Sequence, residues 1–283
     1  MPTRGSITTR TPTSSSTRRR QLASAATMLP LALGLAGNMN APQSRTSAEP
    51  TAATKQCRPS LSSCPEYGCD AEGSAHALVN EMKRRLPTQG APKSLTWDDF
   101  TTLQEDADST VGQEKELDES ARARLHNIRV SSGSVSEGDL VQLDGFLVGK
   151  PHPNTGESVN CNLPGPANND FHIPFADDPD KTPFQGIVVE MIPQDRPANW
   201  NTKLLVKIEN ARRMVRFVGQ LFYDNMHRVN GDEEAPQSGQ PPRFSLFEIH
   251  PITAVTVCKQ PDTQCANWET LDQFVAENQA ASP

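Results

Sequence analysis

The alternation of apolar and polar residues after position 138 constrains the fold of this chain more than any other feature. A period of two residues places alternate side chains on opposite faces of a β-strand. This period recurs in five segments, and an amphipathic helix at about 202–212 separates the third segment from the fourth. The predicted strands are 139–148, 170–175, 186–192, 214–223 and 244–249, with a continuation of the last one through Val257 as an alternative.

The order β-β-β-α-β-β predicts a mainly β fold with short helices, of the α+β class, built on a five-stranded OB-like barrel. Gly145 and Gly219 lie within two of the long strands, where glycine lets a strand bend as a barrel closes. A meander sheet with one packed helix is the alternative. We assign the barrel to residues 125–260 and a C-terminal tail to 261–283.

The N-terminal 37 residues have the layout of a signal peptide. Residues 1–20 contain five arginines and no acid, and the apolar stretch that follows, Leu22–Ala36, is too short to span a bilayer comfortably. A twin-arginine signal at Arg18–Arg20 and an ordinary secretory signal both stay open. Residues 38–56 have the composition of a disordered linker. We therefore expect an exported protein, periplasmic or extracellular, without a transmembrane span in the mature chain.

The even number of cysteines favours disulfide bonds, because exported proteins meet an oxidising environment. The first three lie close together in the sequence, and so do the last two, which predicts local pairs without fixing the connectivity. A zinc site that uses Cys64 and Cys69 with Cys57 or His76 is the alternative. The six cysteines are Cys57, Cys64, Cys69, Cys161, Cys258 and Cys265.

A small helical segment that contains cysteines is predicted for residues 57–124. Ser74 can cap a first helix that ends before Pro87. Thr96 and Asp99 form the pattern of a capping box at the start of a second helix. The charged stretch 105–124 has weak periodicity and is interpreted as a loop or an exposed helix.

The charge of the chain argues against nucleic acid as a partner. The net charge is −7, and residues 125–258 carry 11 Lys and Arg against 16 Asp and Glu. A single-strand binder needs a positive groove with stacking aromatic rings. Arg212, Arg213 and Arg216 form one basic cluster. We favour the interpretation that it marks a helix C-terminus, where cations are stabilised.

Three histidines each follow an acidic residue at a distance of two or three positions. If the strands bring these histidines together, their imidazoles could hold Zn²⁺ with carboxylates behind them, and an open fourth position would activate water. Hydrogen-bonding roles in the fold are the alternative. The histidines are His172, His227 and His250, and the acids are Asp170, Asp224 and Glu248.

The chain resembles a family of uncharacterised exported bacterial proteins in which a Cys-Pro-x-x-Gly-Cys segment precedes an OB-like barrel. The resemblance covers roughly residues 57–258 and implies that the cysteine segment, the barrel and the histidines form one unit. This sequence departs from the pattern at Phe247, where a tryptophan is expected. The matching stretches are Cys64–Cys69, Leu78–Arg85, Leu95–Phe100, Asn169–Ile173, Gly219–Asp224 with His227, and Phe247–Pro251.

We expect a non-catalytic OB-like binding or accessory module whose partner is a protein, a glycan or a small ligand at the loop end of the barrel. No nucleophile elbow, phosphate-binding glycine loop or His-Glu-x-x-His motif is present in the sequence. The alternative is a metal-dependent hydrolase, for instance of phosphodiesters, that uses the three histidines. Whether the chain is an enzyme stays open, and zinc is the one cofactor considered.

Overall fold

The computed structural model describes residues 55–112, 114–261 and 264–280. The predicted signal peptide and all but the last two residues of the predicted linker lie outside these ranges. Within them the chain forms ten strands. The strands are β1 (Lys93–Ser94), β2 (Ile128–Val130), β3 (Gly133–Val135), β4 (Leu140–Leu147), β5 (His152–Pro153), β6 (Phe171–Ala176), β7 (Ile187–Met191), β8 (Val215–Tyr223), β9 (Phe247–Cys258) and β10 (Trp268–Thr270).

Five α-helices and several short 3₁₀ turns accompany the strands in the described ranges. No helix among the described residues is both long enough and apolar enough to cross a bilayer. The helices are α1 (Ala75–Arg84), α2 (Trp97–Thr110), α3 (Glu119–Arg122), α4 (Thr202–Asn210) and α5 (Leu271–Ala280).

The predicted barrel is confirmed, and it is closed. Strand β4 pairs antiparallel with both β6 and β8, β6 pairs with β7, and β8 pairs with β9. A parallel pairing of β7 with β9 completes the ring. With α4 between the third and fourth barrel strands, this is the strand order of an OB-like barrel. The meander alternative is wrong, because a meander does not close.

The period of two residues sorts the barrel side chains into an apolar interior and a more polar exterior. Phe175, Val189, Phe217 and Ile249 are fully buried in the interior. Gly219 allows the last strand to approach closely, because a Cβ atom there would lie 2.3 Å from the carbonyl oxygen of Pro251. Strand β9 continues through Pro251 to Cys258, so the longer alternative for the fifth strand is the observed one.

The exterior of the barrel is covered on one side by residues 57–84, which we call the cover segment. Its helix α1 begins at Ser74, whose side chain accepts a hydrogen bond from the backbone of Ala77, as predicted. Val79 and Met82 of α1 pack against Phe222 of β8. The outer face of the barrel is therefore buried beneath the chain's own N-terminal helix.

The disulfides differ in part from the predicted local pairs. Cys57–Cys69 and Cys258–Cys265 are local, with sequence separations of 12 and 7 residues. Cys64 instead bonds to Cys161, which lies 97 residues away in the loop between β4 and β6. This bond joins the cover segment to the barrel. All six cysteines are in disulfides, so none offers a free thiolate to the zinc site suggested for Cys64 and Cys69 with Cys57 or His76.

Three parts of the described structure go beyond what the sequence predicted. Helix α2 begins with the predicted capping box at Thr96 but continues to Thr110, into the stretch interpreted as a loop or an exposed helix. Strands β2 and β3 form a short hairpin that was not predicted. The segment interpreted as a C-terminal tail contains β10, which pairs with β9, and α5. Leu271 and Phe274 of α5 join the main core, because they recur at helical spacing.

The long-range disulfide should stabilise the protein more than the local one near the C-terminus. A cross-link restricts the unfolded chain more when it closes a longer loop. We expect Cys64→Ala with Cys161→Ala to lower the free energy of unfolding by about 5 kcal/mol, and Cys258→Ala with Cys265→Ala by about 2 kcal/mol. Urea denaturation of the two double variants measures the difference. Equal losses would contradict the view that the Cys64–Cys161 bond organises the fold.

Candidate functional site

Three neighbouring barrel strands place ionisable side chains on the outer face beneath the cover segment. His172 of β6 lies opposite Glu190 of β7 in the antiparallel ladder. Val189 aligns with Ile249 in the parallel ladder, and both point into the core. Their neighbours in sequence therefore point outward together, which brings Glu190 beside His250. The strand register alone thus assembles the centre of the site.

His250 is surrounded by carboxylates on both sides of its ring. Its Nδ1 atom lies 3.3 Å from Glu248 Oε2 and 3.7 Å from Glu190 Oε2, and its Nε2 atom lies 3.5 Å from Asp170 Oδ2. The other oxygen of Glu190 is 2.7 Å from His172 Nε2. Glu190 therefore links the two histidines, and all five side chains are buried.

A second branch extends from Glu248 towards the loop between β8 and β9. Arg243 is fully buried and contacts Glu248, and its Nη1 atom lies 3.3 Å from Asp224 Oδ2. The same oxygen of Asp224 lies 2.5 Å from His227 Nδ1. His227 is partly exposed, with 25% of its side-chain surface accessible. The branch therefore connects the buried centre to the surface.

The cover segment and the loop between β4 and β6 add a third branch. Lys83 of α1 lies 3.0 Å from Glu157 Oε1, and both residues are largely buried. Asn160 donates a hydrogen bond of 2.9 Å to Asp170. We call the whole assembly the buried ionic network. Its members are Lys83, Glu157, Asp170, His172, Glu190, Asp224, His227, Arg243, Glu248 and His250.

Negative charge is in excess within the buried ionic network. It has five carboxylates and two side chains that carry a permanent positive charge, Lys83 and Arg243, which leaves three negative charges to be balanced. Arg84 and Arg196 lie nearer to the surface and donate to backbone carbonyls. Bound protons or a bound cation supply the remainder. The carboxylates are Glu157, Asp170, Glu190, Asp224 and Glu248.

The pKa values of the network follow each group's own neighbours. Burial lowers the pKa of His250, but the attraction of Glu190 and the other nearby carboxylates outweighs burial and raises it to about 10. Burial raises the pKa of Glu157 against the attraction of Lys83, and the neighbouring Glu190 and Asp170 raise it further. At Glu190 burial also raises the pKa, but the attraction of His172 and His250 outweighs it and lowers the pKa below its ordinary value.

The structure joins all six residues of the histidine hypothesis but does not place three imidazoles around one point. His172 and His250 meet at Glu190, whereas His227 is connected to them only through the branch that includes Arg243. Asp224 contacts His227, and Glu248 contacts His250, as the sequence spacing suggested. Asp170 is not the partner of His172, the histidine two positions later. It lies close to His250 instead.

Four members of the network were missed by the sequence interpretation. Lys83 and Glu157 lie outside the barrel strands, and Arg243 lies in a proline-rich loop. No local sequence pattern therefore indicated these three residues. Glu190 did carry a signal, because it is the one charged residue in the otherwise apolar third strand. A lone acid in a strand that is buried on both faces requires a partner.

Asp170, Glu190 and His250 form the group best placed to hold a metal ion. One potential ligand atom from each residue lies within 4.8 Å of the other two, and all three residues are buried. Asp170 Oδ2, Glu190 Oε2 and His250 Nε2 lack a hydrogen-bond partner of good geometry. Burying such atoms without a partner is costly, so the group is prepared for a ligand or for shared protons.

A cleft of about 200 Å³ opens at the surface end of the network. It lies where α1 meets the loop between β4 and β6, which we call the first barrel loop, and the loop between β8 and β9, the last barrel loop. Its lining combines ionisable and polar groups with a few apolar ones. The lining residues are Asp70, His76, Val79, Asn80, Lys83, Glu157, Ser158, Val159, Met226 and His227.

Larger clefts of about 290 to 380 Å³ lie away from the network. One of about 360 Å³ has acidic side chains as its only charged lining, and one of about 380 Å³ has Arg196 alone. The other two contain charges of both signs. We consider the smaller cleft the better candidate, because both barrel loops line it and Lys83 and His227 of the network reach it.

The predicted basic cluster does not form a free positive surface. Arg216 makes two hydrogen bonds to Asp144 and lies over the ring of Trp268. Arg212 pairs with Asp180, and Arg213 donates to the carbonyl of Cys258. These contacts support the structural interpretation of the cluster over a role in nucleic-acid binding.

No family model matches this sequence, and no curated protein matches it either. The resemblance to uncharacterised exported bacterial proteins thus stays a sequence-based expectation, and the functional argument depends on the geometry.

In protein stripped of divalent cations, the buried proton of His250 should make stability depend on alkaline pH. The pKa of a histidine raised from 6.5 to about 10 contributes stability that is complete below pH 6.5 and is lost as the pH rises towards 10. We expect the free energy of unfolding to fall by roughly 4 kcal/mol across this interval. Urea denaturation at a series of pH values measures it. His250→Gln should flatten the profile, and His126→Gln, at an exposed position, should not.

Proposed function

We propose that the protein is an exported, non-catalytic OB-like binding module that takes a neutral saccharide unit in the cleft beneath α1. The observation that carries this proposal is the position of the cleft. OB-like barrels bind ligands with the loops that join strands one to two and four to five, and these are the first and last barrel loops here. Glu157 and Ser158 come from the first, and Met226 and His227 from the last.

The chemistry of the lining supports a neutral polar ligand rather than a polyanion. The charged groups are paired within the protein, since Lys83 contacts Glu157, His227 contacts Asp224, and Asp70 lies 3.9 Å from His76. Paired charges present hydrogen-bond donors and acceptors without a net positive field. Of the two ligand classes that OB-like barrels bind, oligosaccharides suit this lining better than oligonucleotides.

The size of the cleft also favours a small ligand. Its volume of about 200 Å³ is below the range of pockets that enclose drug-sized molecules. Val79, Val159 and Met226 supply an apolar patch beside the polar groups. A sugar ring presents hydroxyl groups at its edge and carbon–hydrogen bonds on its faces, so one ring at the end of a glycan matches this mixture.

Export is part of the proposal. Three disulfides fit an oxidising environment, and structural disulfides are rare where thiols are kept reduced. The basic and apolar N-terminal layout and the resemblance to exported bacterial proteins support the same compartment.

The alternative function is a metal-dependent hydrolase that uses the histidines. The contacts of His172 and His250 with Glu190 favour it, because histidine and carboxylate are metal ligands of hydrolases. Burial counts against it. A catalytic metal keeps one position open to substrate, whereas His250 and Glu190 lie beneath α1 with at most 1% of their surfaces exposed.

Replacing His76 should weaken saccharide binding. We expect isothermal titration calorimetry with glucose, galactose, mannose, N-acetylglucosamine and their disaccharides to detect binding of at least one sugar. His76 lines the cleft with 43% of its side chain exposed and makes no tight contact with the core, so His76→Ala should reduce the affinity about tenfold while the protein stays folded.

The matched control is His126→Ala, which removes an exposed histidine outside the cleft and should leave the affinity unchanged. Absence of binding to every sugar, or binding that His76→Ala does not affect, would contradict the proposal. Salt-sensitive binding of single-stranded oligonucleotides would instead favour the cluster around Arg216. Hydrolysis of bis(p-nitrophenyl) phosphate by zinc-loaded protein, lost in His250→Gln, would favour the hydrolase.

A further inference from the structure

We propose that Asp170, Glu190 and His250 bind one divalent transition-metal cation inside the protein, between the barrel and the cover segment. This inference does not depend on the saccharide proposal, because the metal site lies in the buried centre of the network and the saccharide site lies in the cleft. It also differs from the three-histidine hypothesis, since two of the three ligands are carboxylates and His227 is not among them.

The distances fit ligands that converge on one ion. Oxygen and nitrogen ligands of Zn²⁺ lie about 2 Å from the metal, so two ligands of a tetrahedral site are separated by roughly 3.5 Å. Asp170 Oδ2 and His250 Nε2 are 3.5 Å apart. Glu190 Oε2 lies 3.7 Å from the other ring nitrogen, Nδ1. Each of the three residues offers one ligand atom within 4.8 Å of the other two.

The ligand atoms have no other adequate partner. Asp170 Oδ2, Glu190 Oε2 and His250 Nε2 are buried from water and make no hydrogen bond of good geometry. Buried polar atoms are nearly always satisfied in folded proteins, and the three residues together hold four such atoms without a hydrogen bond, since Glu190 Oε1 also lacks one. A bound cation satisfies all three at once.

The residues around Asp170, Glu190 and His250 contact them in the way that residues around a metal site contact its ligands. Metal-bound histidines commonly donate their second nitrogen to a carboxylate, and Glu248 lies 3.3 Å from Nδ1 of His250 while Nε2 faces Asp170. Ligating carboxylates are themselves hydrogen-bonded. Asn160 donates to the other oxygen of Asp170, and His172 contacts the other oxygen of Glu190.

The charge of the network favours a cation in this position. The buried ionic network has three more negative charges than permanent positive charges. A divalent ion in contact with Asp170 and Glu190 balances two of them.

Nitrogen and carboxylate ligands indicate the class of metal. One imidazole with two carboxylates suits Zn²⁺ and its first-row neighbours, whereas Ca²⁺ and Mg²⁺ prefer oxygen ligands alone. Complete burial indicates a structural ion that joins the start of β6 to β7 and β9 beneath the cover segment. The readout is therefore metal content and stability.

The test begins with full-length, untagged protein purified from an oxidising compartment, equilibrated with ZnCl₂ and dialysed. We expect elemental analysis to give about one zinc per chain. Glu190→Gln and Asp170→Asn should each abolish stoichiometric zinc. Glu248→Gln changes the carboxylate behind His250, and it should weaken zinc binding about tenfold or more without abolishing it.

His227→Gln is the matched control, because it removes a histidine of the same network that lies outside the ligand group, and it should retain the metal. Circular dichroism identifies any variant that fails to fold. If a variant does not fold, the wild-type protein gives an independent measurement. A chelator should lower its melting temperature, and added zinc should restore it. Wild-type protein that is folded and zinc-free, or zinc that is lost in His227→Gln and kept in Glu190→Gln, would overturn the proposal.

Discussion

The structure depends on the compensation of charges that are removed from water. Five carboxylates, three histidines, a lysine and an arginine lie between a barrel face and one short helix, and several of them are fully buried. An unpaired buried charge costs several kcal/mol, so removing a fully buried member leaves its partner at a cost. Apolar contacts between α1 and the barrel are few, and they include Val79 and Met82 against Phe222. The polar contacts therefore specify where the cover segment docks.

This arrangement changes which part of the outer barrel face is exposed. The outer face of strands two and three is a common binding surface of such barrels. Here His172 and Glu190 on that face are buried beneath residues of the same chain. At the edge of the face, His227 and His76 line an open cleft. The outer face thus has a closed centre and an open margin.

The sequence predicted the barrel well because the period of two residues is a local signal, and its five strands and single helix were all observed. Part of the site was also predictable, since each proposed acid or histidine belongs to the network. The contact partners of these residues were not predictable, because Glu190 meets His250 through a parallel pairing between strands that are distant in sequence. Connectivity of the cysteines is a tertiary property for the same reason, and Cys64 has its partner 97 residues away. Helix α5 could have been found from the spacing of Leu271, Phe274 and Val275.

The bond between Cys64 and Cys161 has a consequence for the time at which the protein matures. A newly made chain with reduced thiols lacks the covalent attachment of the cover segment to the first barrel loop. Oxidation of Cys64 and Cys161 supplies that attachment. Before oxidation, non-covalent contacts such as that of Lys83 with Glu157 hold the cover segment in place.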